Sequence, residues 1–93
     1  MKMVKMAEIK DKKASPSHAP VYEEIRNGTF PQGVLIGKRS KAWPDYEIEI
    51  LNAARLAGKS DDDLRALVKA FYLKRQELFG NLIAEAGIRI ATV

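Results

Sequence analysis

Apolar residues recur at helical spacing in several stretches of this chain, with Gly and Pro between them. Across residues 4–12, Val4, Met6 and Ile9, joined by Met3, share one side of a predicted helix, and lysines take the other. Ala14, Ser15, Pro16 and Ser17 break it. A second helix is expected to open at Pro20, whose missing N–H costs nothing in a first turn. Val21, Ile25 and Tyr22 give its apolar side, and Asn27-Gly28 ends it, because glycine takes the left-handed conformation freely. A third helix starts at Pro44, with Asp45 and Glu47 near its positive end. Tyr46, Ile48, Ile50, Leu51 and Ala54 supply its contacts, and Gly58 stops it. Ser60-Asp61-Asp62-Asp63 is a strong start for a fourth helix, a capping hydroxyl followed by three carboxylates that oppose the dipole. Leu64, Leu67, Val68, Phe71 and Leu78 then follow at three- and four-residue spacing, which predicts a helix to about residue 79 with Gly80 as terminator. Residues 81–93 are apolar and short. Ile88 and Ile90 alternate with Arg89 there, so a strand and a frayed helix both stay open.

One stretch reads differently. Phe30-Pro31-Gln32-Gly33 leads into the apolar run Val34-Leu35-Ile36, Gly37-Lys38-Arg39-Ser40 interrupts it, and Ala42-Trp43 closes it. Two short extended runs around a Gly-bearing turn predict a β-hairpin over residues 33–43. A hairpin this short needs helices to lean on. The expected fold is mostly α with a small β-hairpin: a winged helix-turn-helix with an additional C-terminal helix. Residues 1–58 would form the winged helix-turn-helix DNA-binding domain. Residues 59–93 would form a C-terminal helix and tail, packed on that domain or serving as an oligomer interface.

Charge sharpens this picture. The net charge is +4, unevenly spread: residues 1–41 hold nine basic and four acidic side chains, residues 42–93 seven and eight. A polyanion-binding half would be the first half. The chain of 93 residues has no cysteine, which excludes a disulfide scaffold, thiolate metal sites and a cysteine nucleophile. No apolar run approaches the ~20 residues of a membrane span, and the basic N-terminus has no apolar core behind it to make a secretory signal. The expected location is the cytoplasm, with association to the nucleoid when DNA-bound, and no membrane partner.

The series Val21-Tyr22-Glu23-Glu24-Ile25-Arg26-Asn27-Gly28-Thr29-Phe30-Pro31, then Gly37, Arg39 and Trp43, then Glu47 and Ile48, resembles the AlpA family of phage and mobile-element regulators. That family is close to MerR-like winged helices and phage excisionases. Its members show a helix-turn-helix ending in a phrase like IYRLIREGRFP, a short wing, G-x-R-x-x-x-W and an acidic helix. Residues 52–68 resemble a recurring C-terminal extension of the group, and the likeness spans about residues 4–70. The resemblance implies sequence-specific binding of double-stranded DNA, at an attachment site or promoter. It implies excisionase activity, transcriptional control, or both, with a second copy and a site-specific integrase as further partners. The sequence departs from the pattern at Ser17-His18-Ala19-Pro20, where the family's second helix opens with residues suited to bases and phosphates. Pro20 disfavours helical geometry at Ala19, so the helix is expected to start later or to kink at its entry. Glu23 and Glu24 stand where a DNA-facing side favours neutral or basic groups.

The candidate DNA-binding residues are Ser17, His18, Tyr22 and Arg26 on the second helix and its entry, and Lys38, Arg39 and Lys41 on the wing. Arg39 stands first among them, because its planar fork pairs with phosphate or guanine. Tyr22 also fits the core by its spacing with Ile25. Trp43 reads as structural, pinning the wing while its N–H meets a carbonyl. Lys2, Lys5, Lys10, Lys12 and Lys13 form either a phosphate-contacting rim or a wet helix face. Asp61, Asp62 and Asp63 are explained by capping rather than metal binding, and a lone histidine makes no metal site. No catalytic residue, cofactor or metal is expected, since phosphate-loop, nucleophile-elbow and zinc-ligand patterns are all missing. The rival reading is a protein-interaction module that uses helix 60–79 for dimerisation or partner binding. Phe71, Tyr72, Leu73 and Phe79 are too many large apolar groups for one narrow face.

Overall fold

The computed structural model describes residues 1–12 and 18–89, and the side chains of residues 1–9 and 21–89. In chain order the elements are β1 (Met3–Lys5), α1 (Met6–Lys12), α2 (His18–Asn27), β2 (Val34–Leu35), β3 (Lys41–Pro44), α3 (Asp45–Leu56) and α4 (Asp61–Glu85). The architecture is mostly helical with a three-stranded antiparallel sheet in the order β1-β3-β2, compatible with a winged helix-turn-helix with an added C-terminal helix.

The first correction falls at the N-terminus. Residues 3–5 are strand, not helix: Met3, Val4 and Lys5 pair with Pro44, Trp43 and Ala42. The free edge of β3 accepts them, and Asp45 N–H donates to Lys2 O at 2.8 Å to close the ladder. Val4 is buried all the same, now through the alternation of a strand. The wing itself is β2 and β3, with Val34 opposite Ala42 and Leu35 opposite Lys41. Ile36 N–H donates to Ser40 O at 2.9 Å, which leaves Gly37, Lys38 and Arg39 as the protruding tip.

A second correction concerns Pro20. The helix opens at His18 and passes through Ala19 and Pro20. Pro20 therefore stands inside the first turn, where backbone N–H groups have no intrahelical acceptor to lose. The expected end is as read: Gly28 has φ +84°, and Gly28 N–H donates to Ile25 O at 3.1 Å. Pro44 is extended and precedes α3 as its N-cap, with Asp45 and Glu47 in the first turn. Ser60 caps α4 in a reciprocal pair with Asp63, each side chain accepting the other's backbone N–H at 3.2 Å. α4 does not stop at Gly80. It runs on to Glu85 and ends at Gly87, whose φ is +70°. Ile88 and Arg89 follow without regular structure, and Ile90 lies outside the described residues.

The core joins every element but β2, whose Val34 and Leu35 are exposed: Val4, Ile9, Val21, Phe30, Trp43, Ile48, Leu51, Ala54, Leu64 and Phe71. Tyr22 is not part of it and stands 56 % exposed. Ile48 rather than Ile50 is the inward residue of α3. Of the crowded apolar set on α4, Phe71 is buried, while Tyr72, Leu73 and Phe79 are exposed. Tyr46 packs edge-on to Phe71 at 6.5 Å. Burial raises its phenol pKa, the neighbouring Glu47 adds to that, and Arg75 offsets part.

Trp43 is the centre of the wing's attachment. It has no exposed surface, its Nε1–H donates to Pro31 O at 2.7 Å, and its ring meets Phe30 edge-on at 6.0 Å. Gly33 lies against it. A Cβ there would stand 2.8 Å from Trp43 Cζ2 and 3.0 Å from Lys41 Cβ, whereas one at Gly37 would meet only Ser40 Cβ at 3.9 Å. The glycine this wing needs is Gly33, at its base rather than its tip.

Trp43→Ala is expected to destabilise the protein by roughly 3–5 kcal/mol, from lost burial and the cavity left behind. Circular dichroism during urea unfolding reads it. A near-normal stability would show that the indole does not anchor the sheet. Gly33→Ala is expected to cost about 1–3 kcal/mol by overpacking. Gly37→Ala, measured beside it, should change little.

Candidate nucleic-acid interface

The helix α2 turns Val21 and Ile25 inward and Tyr22, Glu23 and Arg26 outward. Six residues beyond its end the chain enters the wing. The two surfaces meet at a cleft of about 400 Å³. Tyr22 and Ile25 of α2 line one side of it, and Gln32, Gly33, Arg39 and Lys41 the other, with Met6 and Trp43 at its base. The structure thus brings together Tyr22, Arg39 and Lys41, three of the candidate residues. Lys38 is exposed at the tip beside them, and Arg26 is exposed in the last turn of α2, outside the cleft lining. His18 is the first residue of α2, and its side chain lies outside the described residues, as does Ser17. Lys2 and Lys5 are exposed, and the side chains of Lys10, Lys12 and Lys13 are outside the described set.

The electrostatics of this face are open. Among the described residues, Lys38, Arg39 and Lys41 form no ion pair, so their charge is not spent on a described carboxylate. The two glutamates of α2 part company. Glu24 is turned inward and pairs with Arg55 of α3. Only Glu23 stays on the outward side. Of the two carboxylates at positions where a DNA-facing side favours neutral or basic groups, Glu24 is taken up by a partner 31 residues away, which no local pattern announces.

The segment joining α2 to the wing is held by side chains of α4 that carry no local functional motif. Arg65 Nε–H donates to Asn27 O at 2.9 Å. Tyr72 Oη accepts from Gln32 N–H at 2.9 Å, and Arg75 Nη2–H donates to Gln32 O at 3.0 Å. Arg75 is itself fixed by Glu47, with contacts of 2.8 and 2.6 Å to the two carboxylate oxygens, and its guanidinium lies 5.3 Å from the centre of the Tyr72 ring. Glu47 is fully buried. It is a first-turn carboxylate favoured by the helix dipole, and it also serves as the buried half of a bidentate ion pair. The spacing of Arg65, Tyr72 and Arg75, seven then three residues, was the available signal, since it puts all three on one side of a helix.

Among the described residues there is no group of three or more His, Cys, Asp or Glu placed to hold a metal ion. No described helix is long and apolar enough to cross a membrane.

Comparison with known proteins bears on this surface. The chain is similar to an uncharacterised protein, ORF88, of Enterobacteria phage P4, with 40 % identity over 43 residues that make up 46 % of this chain and 49 % of the phage protein. The match thus spans about half the length of that curated relative. No solved structure matches the chain. The family model described as prophage CP4-57 regulatory protein (AlpA) matches residues 2–55. That interval holds β1, both strands of the wing, α2 and nearly all of α3, and so the cleft and every candidate contact residue. More than half of the chain is covered, and the protein belongs to the AlpA family of phage regulatory proteins.

Proposed function

We propose that this protein binds specific sites on double-stranded DNA of a mobile element, where it acts as an excisionase, a transcriptional regulator, or both. In this reading α2 enters the major groove and the wing reaches the adjacent backbone or minor groove. The observation that carries it is the convergence of an exposed helix face and an exposed basic hairpin on one side of a phage-regulator fold. Lys38, Arg39 and Lys41 supply phosphate contacts that position the protein, and Arg39 has the geometry to read a guanine edge as well. Tyr22, Arg26, Ser17 and His18 are the candidate contacts of α2. As an excisionase, copies bound side by side would bend the attachment site and bring recombinase sites together. Gel shifts against the attachment site and the protein's own promoter, with a bend assay on each, test the reading and separate the two outcomes. Equal affinity for these and random duplexes would overturn it.

Arg39→Ala is expected to weaken DNA binding without lowering thermal stability, because the side chain is exposed at the tip. Loss of one phosphate contact should reduce the slope of log affinity against log salt by about one. An unchanged affinity and slope would remove the wing from the mechanism. Glu23→Gln is expected to tighten binding to specific and random duplexes alike by about threefold. A carboxylate ~6 Å from a phosphate in water is repelled by about 0.7 kcal/mol, and the amide is not. Loss of binding on the specific duplex alone would instead make Glu23 a reader of cytosine.

A further inference from the structure

We propose that α4 is a positioning element for the DNA-binding face: Arg65, Tyr72 and Arg75 fix the wing relative to α2 by holding the linker between them, and so control duplex affinity without touching DNA. The inference rests on the DNA-binding reading for its consequence, and on geometry alone for the holding. The linker is short. It leaves α2 at Asn27 and reaches the wing at Gly33. Its two ends are both gripped from α4. Arg65 takes the last carbonyl of α2, the oxygen of Asn27, while the carbons of its side chain lie over Gly28, 3.6 Å from where a Cβ would stand. Tyr72 and Arg75 take both backbone polar groups of Gln32, one accepting its N–H and the other donating to its carbonyl. Between these grips Trp43 holds Pro31 O.

The holders are themselves held. Arg65 and Tyr72 are two helical turns apart, ~10 Å along the axis, and the helix between them is tied to the core by Val68 and Phe71. Arg75 is locked by the two oxygens of buried Glu47 and stacks on the Tyr72 ring. A hydrogen bond from a pre-set donor or acceptor restrains its partner more than one from a free side chain does, because less rotamer entropy is lost in making it. α4 therefore restrains the distance and angle between α2 and the wing at both ends of the linker, and none of its three holding residues lies in the segment matched to the family. Gln32 also lines the cleft beside Arg39, so a shift of its backbone moves the cleft wall directly.

A wing held in the binding geometry only part of the time would lower the apparent affinity in proportion to that fraction. Tyr72→Phe is the variant that isolates the effect. It keeps the ring under the Arg75 guanidinium and removes only the acceptor for Gln32 N–H. Two measurements on the full chain decide the matter. Amide hydrogen exchange without DNA should show Val34, Ile36 and Ala42, whose N–H groups face across the β2–β3 ladder, exchanging several-fold faster in Tyr72→Phe, with the rates of α3 unchanged. Titration with the specific duplex should show affinity five- to tenfold weaker with the salt slope of the wild type, since no phosphate contact is lost. Arg39→Ala provides the contrast, a lower slope with normal wing exchange. Exchange rates in the wing equal to wild type would overturn the positioning role, whatever DNA does. Faster exchange with unchanged specific affinity would show that the wing's position does not govern binding, and would overturn the second half of the proposal. A wild-type protein that binds no duplex selectively would defeat the functional reading and with it the affinity claim, while the exchange measurement still decides the holding.

Discussion

The structure is built around one buried indole. Trp43 lies in the central strand of a three-stranded sheet, too small a sheet to be stable alone, and must be shared by everything around it. Val4 pairs with it from β1, Phe30 meets it edge-on, Pro31 receives its N–H, and Gly33 is glycine because the ring leaves no room for more. These contacts tie two segments to β3, the strand β1 and the linker that runs from α2 to the wing. A domain of this size buries only a modest fraction of its surface, so a single side chain of ~200 Å² carries an unusual share of its stability. The same contacts decide where the wing leaves the body, which makes the anchor of the fold also the anchor of the candidate site.

A buried charge pair performs the second joining. Glu47 has no exposed surface, and a carboxylate in that position is tolerable only with its charge matched and its oxygens filled. Arg75 does both through its fork, and spends its remaining reach on the Gln32 carbonyl. Such a pair adds little net stability over apolar packing, but it is directional. It sets the height of α4 against α3 and thereby the position of Tyr72 and Arg65. The pairing of Glu24 with Arg55 works similarly between α2 and α3 at a more exposed place, and it clears one negative charge from the outward side of α2.

What remains on that side suits a polyanion. The exposed cations of the wing have no carboxylate partners among the described residues, and the chain's positive balance lies in its first 41 residues. In the second half, Asp63 is used in a cap with Ser60, Glu47 in a buried pair with Arg75, and Asp62 and Glu77 in exposed pairs on α4. The wing thus keeps three unpaired cations while the molecule as a whole carries only +4.

The parts legible in the amino-acid order are those whose causes lie within a few residues. Ser60 and Asp63 cap a helix because their atoms are three residues apart, Gly28 ends one because only its own φ matters, and Val34 to Trp43 fold back because the turn is local. The family likeness carried by residues 21–48 was readable for the same reason, since it is an ordered run of such local features. Tertiary structure decided the rest. Val4 is apolar at a spacing that fits helix or strand, and the open edge of β3 chose strand. Gly80 reads as a stop, but its cost of about 1 kcal/mol in a helix interior did not end a helix of 25 residues. Tyr22 fits a core by period, and stands outside because Val21 and Ile25 already fill the inward side of α2. Glu47 gives no local sign that a guanidinium 28 residues away will bury it, and Gln32 none that α4 will hold its backbone from 40 and 43 residues away. Caps and turns are short-range chemistry that a sequence displays. The relation of wing to helix is set by long-range partners, and only the packed chain brings them within 3 Å.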